Sequence, residues 1–371
     1  MFHLIFSLPS WYAIVRFIGP LPWPPAVKVV VALLMLISSQ YLLFSKFSSG
    51  SAMSPEMPRA VIILFNWAFS TVLFIAISQL LLDAVTLIAL LFQHPLEMVP
   101  AVRYVLGTGA MIVAAFGVYQ AIRVPPVKDI IIEVKNLSRQ FEGYQLLQLT
   151  DLHISRLFNS LWTARLVKRA NALSVDLIVI TGDVIDGTLA NRKRDVDPLR
   201  GLQAPDGVFT ITGNHEYFFE QQVWTEHLDS LGMKPLINSH TVIERRGENL
   251  VLAGVTDLSA PRSGFPGPDL GKALAGAPQD AAVMLLDHQP RNARLNAAQG
   301  VGGQLSGHTH GGLIAGFDRL FARANGGFVS GHYEVDGMSL YVNNGTALWP
   351  GMAIRLGRPS ELTRITLTLK N

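Results

Sequence analysis

Leu177-Ile178-Val179-Ile180-Thr181-Gly182-Asp183-Val184-Ile185-Asp186 is the stretch whose reading decides the fold. Its first five residues are apolar or β-branched and read as a buried strand. Gly182 then lets the backbone come close to an ion or a phosphate. Asp183 follows at the strand end, where a fold can aim several ligands at one point. Read alone, an Asp here also suits a helix start or a turn.

Four further motifs lie on either side, each after or near an apolar β-like run: Asp151-Leu152-His153, Gly213-Asn214-His215-Glu216, Asp287-His288 and Gly307-His308-Thr309-His310. Asp151 and His153, two apart, share one side of an extended chain. Asn214 offers a neutral oxygen, with His215 beside it and pointing elsewhere. A lone His288 is usually a satisfied polar residue, and Gly-Asn-His occurs in many turns. Gly307-His308-Thr309-His310-Gly311-Gly312 is the sharpest signal, because alternate histidines between glycines have little structural use. Carboxylate and amide oxygens mixed with imidazoles, and no thiolate, suit Mn, Fe or Zn. Asp151, His153, Asp183, Asn214, His288, His308 and His310 are too many for one four-coordinate ion. They suit two ions that share a bridging carboxylate.

Strand patterns recur at 130–134, 145–150, 176–181, 208–212, 250–255, 282–286, 340–343 and 362–369, and helical spacing over 157–173. Strands alternating with helical segments predict an α/β fold. The order D-x-H, G-D-x-x-D, G-N-H-E, lone His, G-H-T-H resembles the calcineurin-like metallophosphoesterase superfamily over roughly residues 134–371, two thirds of the chain. The resemblance implies a four-layer αββα sandwich with two central sheets. It implies one divalent metal on Asp151, His153, Asp183 and His310, and a second on Asp183, Asn214, His288 and His308, with Asp183 bridging. Mn is the first choice of ion, and Fe or Zn fits the same donors. His215 becomes the catalytic residue at the leaving oxygen, oriented by Asp186. Glu216 reads equally as a support for the site or as a surface residue. The tail from Tyr341 through Arg355 and Pro359 looks like the membrane-associated bacterial branch. Leu313 stands where close relatives often carry Gln.

The 371 residues are enough for two domains. Charged residues make up 15% of the chain and mean hydropathy is +0.32, with the apolar excess concentrated before Arg123. The formal net charge of +3 and the lack of a Lys/Arg block with interleaved aromatics argue against a nucleic-acid partner. Cysteine is absent, which excludes disulfides. Apolar stretches at 29–45, 60–92 and 105–122 are long enough to span a bilayer, which takes about 20 residues. A fourth, 2–18, is interrupted by Pro9 and Arg16. The expectation is therefore a transmembrane helical domain over 1–123 with three to four spans, and a metallophosphoesterase domain over 124–371. Lys and Arg in the short loops favour a catalytic domain in the cytoplasm, and the resemblance to the bacterial branch implies an integral protein of a bacterial inner or plasma membrane. Asp83, inside the longest apolar stretch, is a functional candidate by default, although a helix end or tilt that brings it to the interface explains it better.

A multi-span anchor suggests a membrane-resident, phosphorylated, lipid-linked substrate. Leu157, Phe158, Trp162, Tyr217, Phe218, Phe219, Phe317, Leu320, Phe321 and Phe328 are candidates for an acyl slot, though core packing is their commoner use. Arg156, Lys168, Arg169, Arg319 and Arg323 are candidates for an anionic head group, or a solvated face. Some membrane-associated members of the superfamily hydrolyse the pyrophosphate of UDP-diacylglucosamine, and the resemblance extends that expectation here. A phosphodiester in solution is the alternative substrate. A membrane scaffold or sensor with a vestigial site is the alternative class.

Overall fold

The structure, a computed structural model, describes residues 2–94, 96 and 98–370. Contacts divide the chain into two units: Met1–Gln120 with Pro350–Ile354, and Ala121–Trp349 with Arg355–Asn371.

The first unit is helical. Helix Phe2–Ala13 runs into a π-helical turn at Ile14–Ile18. Helices Pro25–Ser39 and Tyr41–Ser49 follow, then the long helix Arg59–Leu91 and the helix Pro100–Ile122. The last two are long and apolar enough to cross a membrane. The expected span at 29–45 is broken: Pro25–Ser39 and Tyr41–Ser49 meet at a bend of 55° and count as a third span only if taken as one. The break falls at Gln40, whose side-chain amide donates to the hydroxyls of Ser7 and Ser39. The 2–18 candidate forms a shorter apolar helix. Among the described residues, length and composition give two spans, or up to three with the bent pair taken as one, which meets the expected three to four at three.

Asp83 has a partner that a search of the long apolar runs misses. Both its oxygens take bonds from Arg16, at 2.9 and 3.1 Å. Tyr12 donates at 2.6 Å and Gln79 at 2.7 Å. The segment Pro350–Ile354 joins this unit through polar bonds: Tyr41 and Asn66 donate to the Pro350 carbonyl, and Asn66 accepts from the Ala353 N–H. With three donors on one carboxylate, Asp83 is a structural tie. Asp83→Ala is expected to destabilise the detergent-solubilised protein by roughly 1.5–3 kcal/mol, read as a lower melting temperature, while hydrolysis of bis-p-nitrophenyl phosphate stays unchanged.

The second unit carries twelve strands: β1 (Val127–Val134), β2 (Gln145–Leu149), β3 (Leu177–Thr181), β4 (Val208–Ile211), β5 (Met233–Pro235), β6 (Ser239–Arg245), β7 (Glu248–Gly254), β8 (Ala282–Leu286), β9 (Gly303–Ser306), β10 (Gly331–Val335), β11 (Met338–Val342) and β12 (Leu362–Leu369). They form two six-stranded sheets, ordered β1-β12-β2-β3-β4-β5 and β10-β11-β9-β8-β7-β6. β2 through β5 are mutually parallel, as are β7, β8, β9 and β11. Period-2 alternation sends Leu177 and Val179 to the core between the sheets, with Leu252, Met284 and Leu305 from the other sheet. Ile178 and Ile180 point the opposite way and are fully buried too, so β3 is covered on both faces. Two such sheets, with helices between strands, form the expected α/β sandwich.

The eight expected strands are present within a few residues of their predicted bounds, and a helix covers Ser160–Asn171. β5, β6, β9 and β10 were not expected. β9 shows why. Its sequence Gly-Gln-Leu-Ser is half polar yet fully buried, because Gln304 and Ser306 bond each other and Ser306 donates to the Asp287 carbonyl. Hydrophobic patterning does not register a buried strand whose polar groups satisfy one another.

Candidate metal centre

Parallel strands deliver their carboxyl ends to one edge of each sheet, and every candidate ligand follows such an end. Asp151 and His153 follow β2, Asp183 follows β3 and Asn214 follows β4. His288 follows β8, and His308 and His310 follow β9. The structure brings these residues into two groups. In one, Asp151, His153 and His310 place ligand atoms within 4.8 Å of one another; in the other, Asp183, His288 and His308 do so. Asn214 joins the second through Oδ1, 3.3 Å from His288 Nε2. Asp183 Oδ2 lies 3.3 Å from His288 Nε2 and 3.8 Å from His153 Nε2, so it faces both groups.

The turns that carry these ligands are tight. Asp151, His153, Asp183, His308 and His310 all have φ between 41° and 67°, a left-handed conformation in which Asp, Asn and His are over-represented among residues with a side chain. Two glycines allow the close approach. A Cβ on Gly213 would lie 2.2 Å from Asp183 Oδ1, and one on Gly307 would lie 2.3 Å from Asp151 Oδ2.

Neighbouring groups fix which imidazole nitrogen faces the centre. His288 Nδ1 lies 2.8 Å from the Thr181 carbonyl, which can only accept, so Nδ1 carries the proton and Nε2 is free to ligate. Asp186 does the same for two rings: Oδ2 takes His153 Nδ1 at 3.1 Å and Oδ1 takes His215 Nδ1 at 2.5 Å. The sequence paired Asp186 with His215; its hold on His153 is added by the structure. His215 Nε2 then points inward, 4.0 Å from Asp183 Oδ2.

Glu216 is buried and grips the site. Its carboxylate accepts from the backbone N–H groups of Asp183 (3.0 Å), Val184 (2.7 Å) and Gly213 (2.6 Å). The alternative of a surface role is thereby corrected. Arg355 was seen in the sequence only as part of the tail. It is 1% exposed and donates to the carbonyls of His310, Asn344 and Ala347, which ties the His310 turn to the loop after β11. Nothing in the sequence named its acceptors, which are backbone carbonyls.

Titration follows burial and charge. Burial would raise the Asp183 carboxyl, but His288 and His215 outweigh it and hold it well below the usual carboxylate range. Burial acts against the His215 imidazolium, yet Asp183 and Asp186 push its pKa up to about 9. Burial, then the charge of Asp183, lifts Glu216 to about 7. Burial, then His153, keeps His310 neutral and fit to ligate.

The donor set fits a pair of divalent cations. The carboxylates of Asp151 and Asp183 are buried, and among the described residues no Lys or Arg pairs with either. Two imidazole nitrogens, His153 Nε2 and His310 Nε2, confront each other at 3.2 Å. His310 Nδ1 is buried without a hydrogen-bond partner. Lone pairs converging in this way call for a positive ion.

The proposed acyl slot divides. Leu157, Phe158, Trp162, Tyr217, Phe219 and Phe328 are core residues. Phe218, Phe317, Leu320 and Phe321 are exposed, and the Phe218 ring lies 5.1 Å from the His215 ring. Arg156, Lys168, Arg169, Arg319 and Arg323 are also exposed.

Two mixed sheets with this cluster at their strand ends define a metallophosphoesterase-type protein. The model of the calcineurin-like phosphoesterase family matches residues 144–312. A metallophosphoesterase of Campylobacter jejuni is 30% identical over 71% of this chain and 70% of its own length. A zebrafish transmembrane protein with a metallophosphoesterase domain is 33% identical over 69% of this chain, and the match spans 60% of that relative's length. Among solved structures, a zebrafish dimetal phosphatase is 14% identical with a TM-score of 0.33, covering 55% of this chain and 88% of its own. The chain belongs to the calcineurin-like metallophosphoesterase family, whose members use a dimetal centre.

Glu216→Gln is expected to lower hydrolysis of bis-p-nitrophenyl phosphate, or metal affinity, about 10–100-fold, read by initial rates across a metal titration. A second expectation concerns the protein in chelator. His215 is raised in the folded state, so its stabilisation is full below about 6.5 and is lost as pH rises through about 9. Denaturant titrations between those values should show wild type losing more stability than His215→Asn; equal slopes would remove His215 from this linkage.

Proposed function

We propose that this chain is a dinuclear metal-dependent hydrolase that cleaves a phosphodiester or pyrophosphate bond in a membrane-associated, lipid-linked substrate such as UDP-diacylglucosamine. The observation that carries the hydrolase reading is the convergence of seven ligand-type residues, with Asp183 facing both groups and His215 aimed between them. Asp151, His153, Asp183 and His310 would hold one ion; Asp183, Asn214, His288 and His308 would hold the other. Mn is our first choice, with Fe or Zn as alternatives. When bound, such a pair acidifies a water and neutralises phosphoryl oxygens.

The chain's own groups supply the rest. A water oxygen bonds to phosphorus, giving up a proton to solvent, as the bond to the leaving oxygen breaks. His215 Nε2 gives its proton to that oxygen, and Asp186 on Nδ1 holds the ring in place and stabilises the imidazolium before transfer. The lipid reading rests on the apolar helices of the first unit and on exposed Phe218, Phe317, Leu320 and Phe321 in the second. The lack of a Lys/Arg block with interleaved aromatics in the sequence argues against a nucleic-acid substrate. The Lys/Arg bias of the loops supports a catalytic domain on the cytoplasmic side, which a reporter fused after Asn371 tests.

Hydrolysis of bis-p-nitrophenyl phosphate should require Mn, stop with chelator and be abolished in Asp183→Ala. Phe321→Asp should lower turnover of a lipid pyrophosphate about tenfold or more and leave the small diester unaffected. Equal loss on both substrates would remove the apolar contact from the reading. Turnover of soluble diesters alone would move the substrate out of the membrane. An absence of metal-dependent turnover on any phosphoester would leave a scaffold or sensor.

A further inference from the structure

The first unit holds a half-open cavity of about 380 Å³, within the roughly 300–1,000 Å³ typical of ligand pockets. Its walls come from the helices Pro25–Ser39, Arg59–Leu91 and Pro100–Ile122 and from Phe17–Leu21, and they are almost wholly apolar. Two of the hydroxyls that line it are already used: Ser38 donates to the Met35 carbonyl and Thr71 to the Trp67 carbonyl. One charged group lines the cavity, Arg103. It is nine-tenths buried, its Nε has no hydrogen-bond partner, and among the described residues no carboxylate pairs with it.

A buried guanidinium nitrogen without a hydrogen-bond partner is unfavourable, and an anion from outside would satisfy it. Arg103 sits in the first turn of Pro100–Ile122, near the end of a membrane-type helix, where a lipid head group lies. Trp23 and Tyr104 stack beside it at 6.2 Å, as aromatic residues do at the membrane interface. From Arg103 the cavity follows that helix to Met111, eight residues or roughly 12 Å at 1.5 Å per residue. Charge at the shallow end and an apolar slot beyond match the two ends of an amphiphile.

We propose that this cavity is a binding site for one anionic phospholipid, its phosphate paired with the Arg103 guanidinium and part of an acyl chain lying against Met35, Trp67, Val72, Ile75 and Met111. The site is independent of the hydrolytic centre. Free phosphate satisfies the charge but not the slot, so the proposal commits to the lipid.

The test uses the full chain in mild detergent with chelator, so that hydrolysis neither creates nor removes the probe. Native mass spectrometry reads retention of phosphatidylglycerol, of diacylglycerol with matched chains, which lacks the phosphate, and of inorganic phosphate. Wild type should hold one phosphatidylglycerol per chain, at least about tenfold over diacylglycerol. Arg103→Gln should erase that preference and Arg103→Lys should keep most of it. Gly107→Leu should fill the slot and lower retention of both lipids; a Cβ at Gly107 meets only Phe17, at 3.5 Å, so the backbone accepts a side chain there. A melting temperature in detergent identifies a misfolded variant, and if Arg103→Gln unfolds, Gly107→Leu decides. Equal retention of the two lipids by wild type, undiminished preference in folded Arg103→Gln, or retention unchanged by Gly107→Leu would overturn the proposal. Saturation by inorganic phosphate with no lipid retained would also overturn it.

Discussion

The carboxylate of Glu216 is the tie on which the site depends. It accepts three backbone N–H groups from two separate turns, the one that presents Asp183 and the one that presents Asn214 and His215. Backbone donors at a strand end have lost their ladder partners and must find others. One buried side chain serves three of them and fixes the distance between the two turns. Asp183 repeats the device in return, with Oδ1 accepting from the His215 N–H at 2.8 Å. Without this exchange, neither the bridging carboxylate nor the imidazole beside it would have a fixed address.

The same economy governs the rest of the centre. Three of the rings that face inward have a partner that sets their direction: a carbonyl at Thr181 for His288, and one carboxylate, Asp186, shared between His153 and His215. Sharing couples a residue of the ligand cluster to the one placed for proton transfer. Any shift in the Asp186 carboxylate moves both rings. Arg355 adds a further tie by gathering carbonyls from two stretches of chain, the His310 turn and the loop after β11.

How far the sequence could be read depended on the range of the interactions. Ligand motifs were legible because each hangs on a strand with a clear apolar pattern, as in Leu177 to Asp183. The buried strand Gly303–Ser306 was not, because its stabilisation comes from bonds between polar side chains that no periodicity records. Glu216 and Arg355 were visible as residues but not as roles, since their partners are backbone atoms brought close only by folding. The membrane helices show a different limit. Hydropathy counts apolar residues without regard to direction, so a run that bends at Gln40 read as one span. Asp83 looked isolated because its partner Arg16 lies 67 positions earlier, in the stretch that read least clearly as a helix.

Five of the seven ligand positions adopt left-handed backbone angles. Most side chains are strained there, whereas Asp, Asn and His are the commonest of those that enter. Ligation and backbone geometry therefore select the same small alphabet. This constrains how such a site can decay. A drifting ligand position meets its lowest conformational barrier on the way to Asn or Gly. Degenerate descendants of this centre should carry the trace of its backbone as Asn and Gly at these five positions, long after the chemistry is gone.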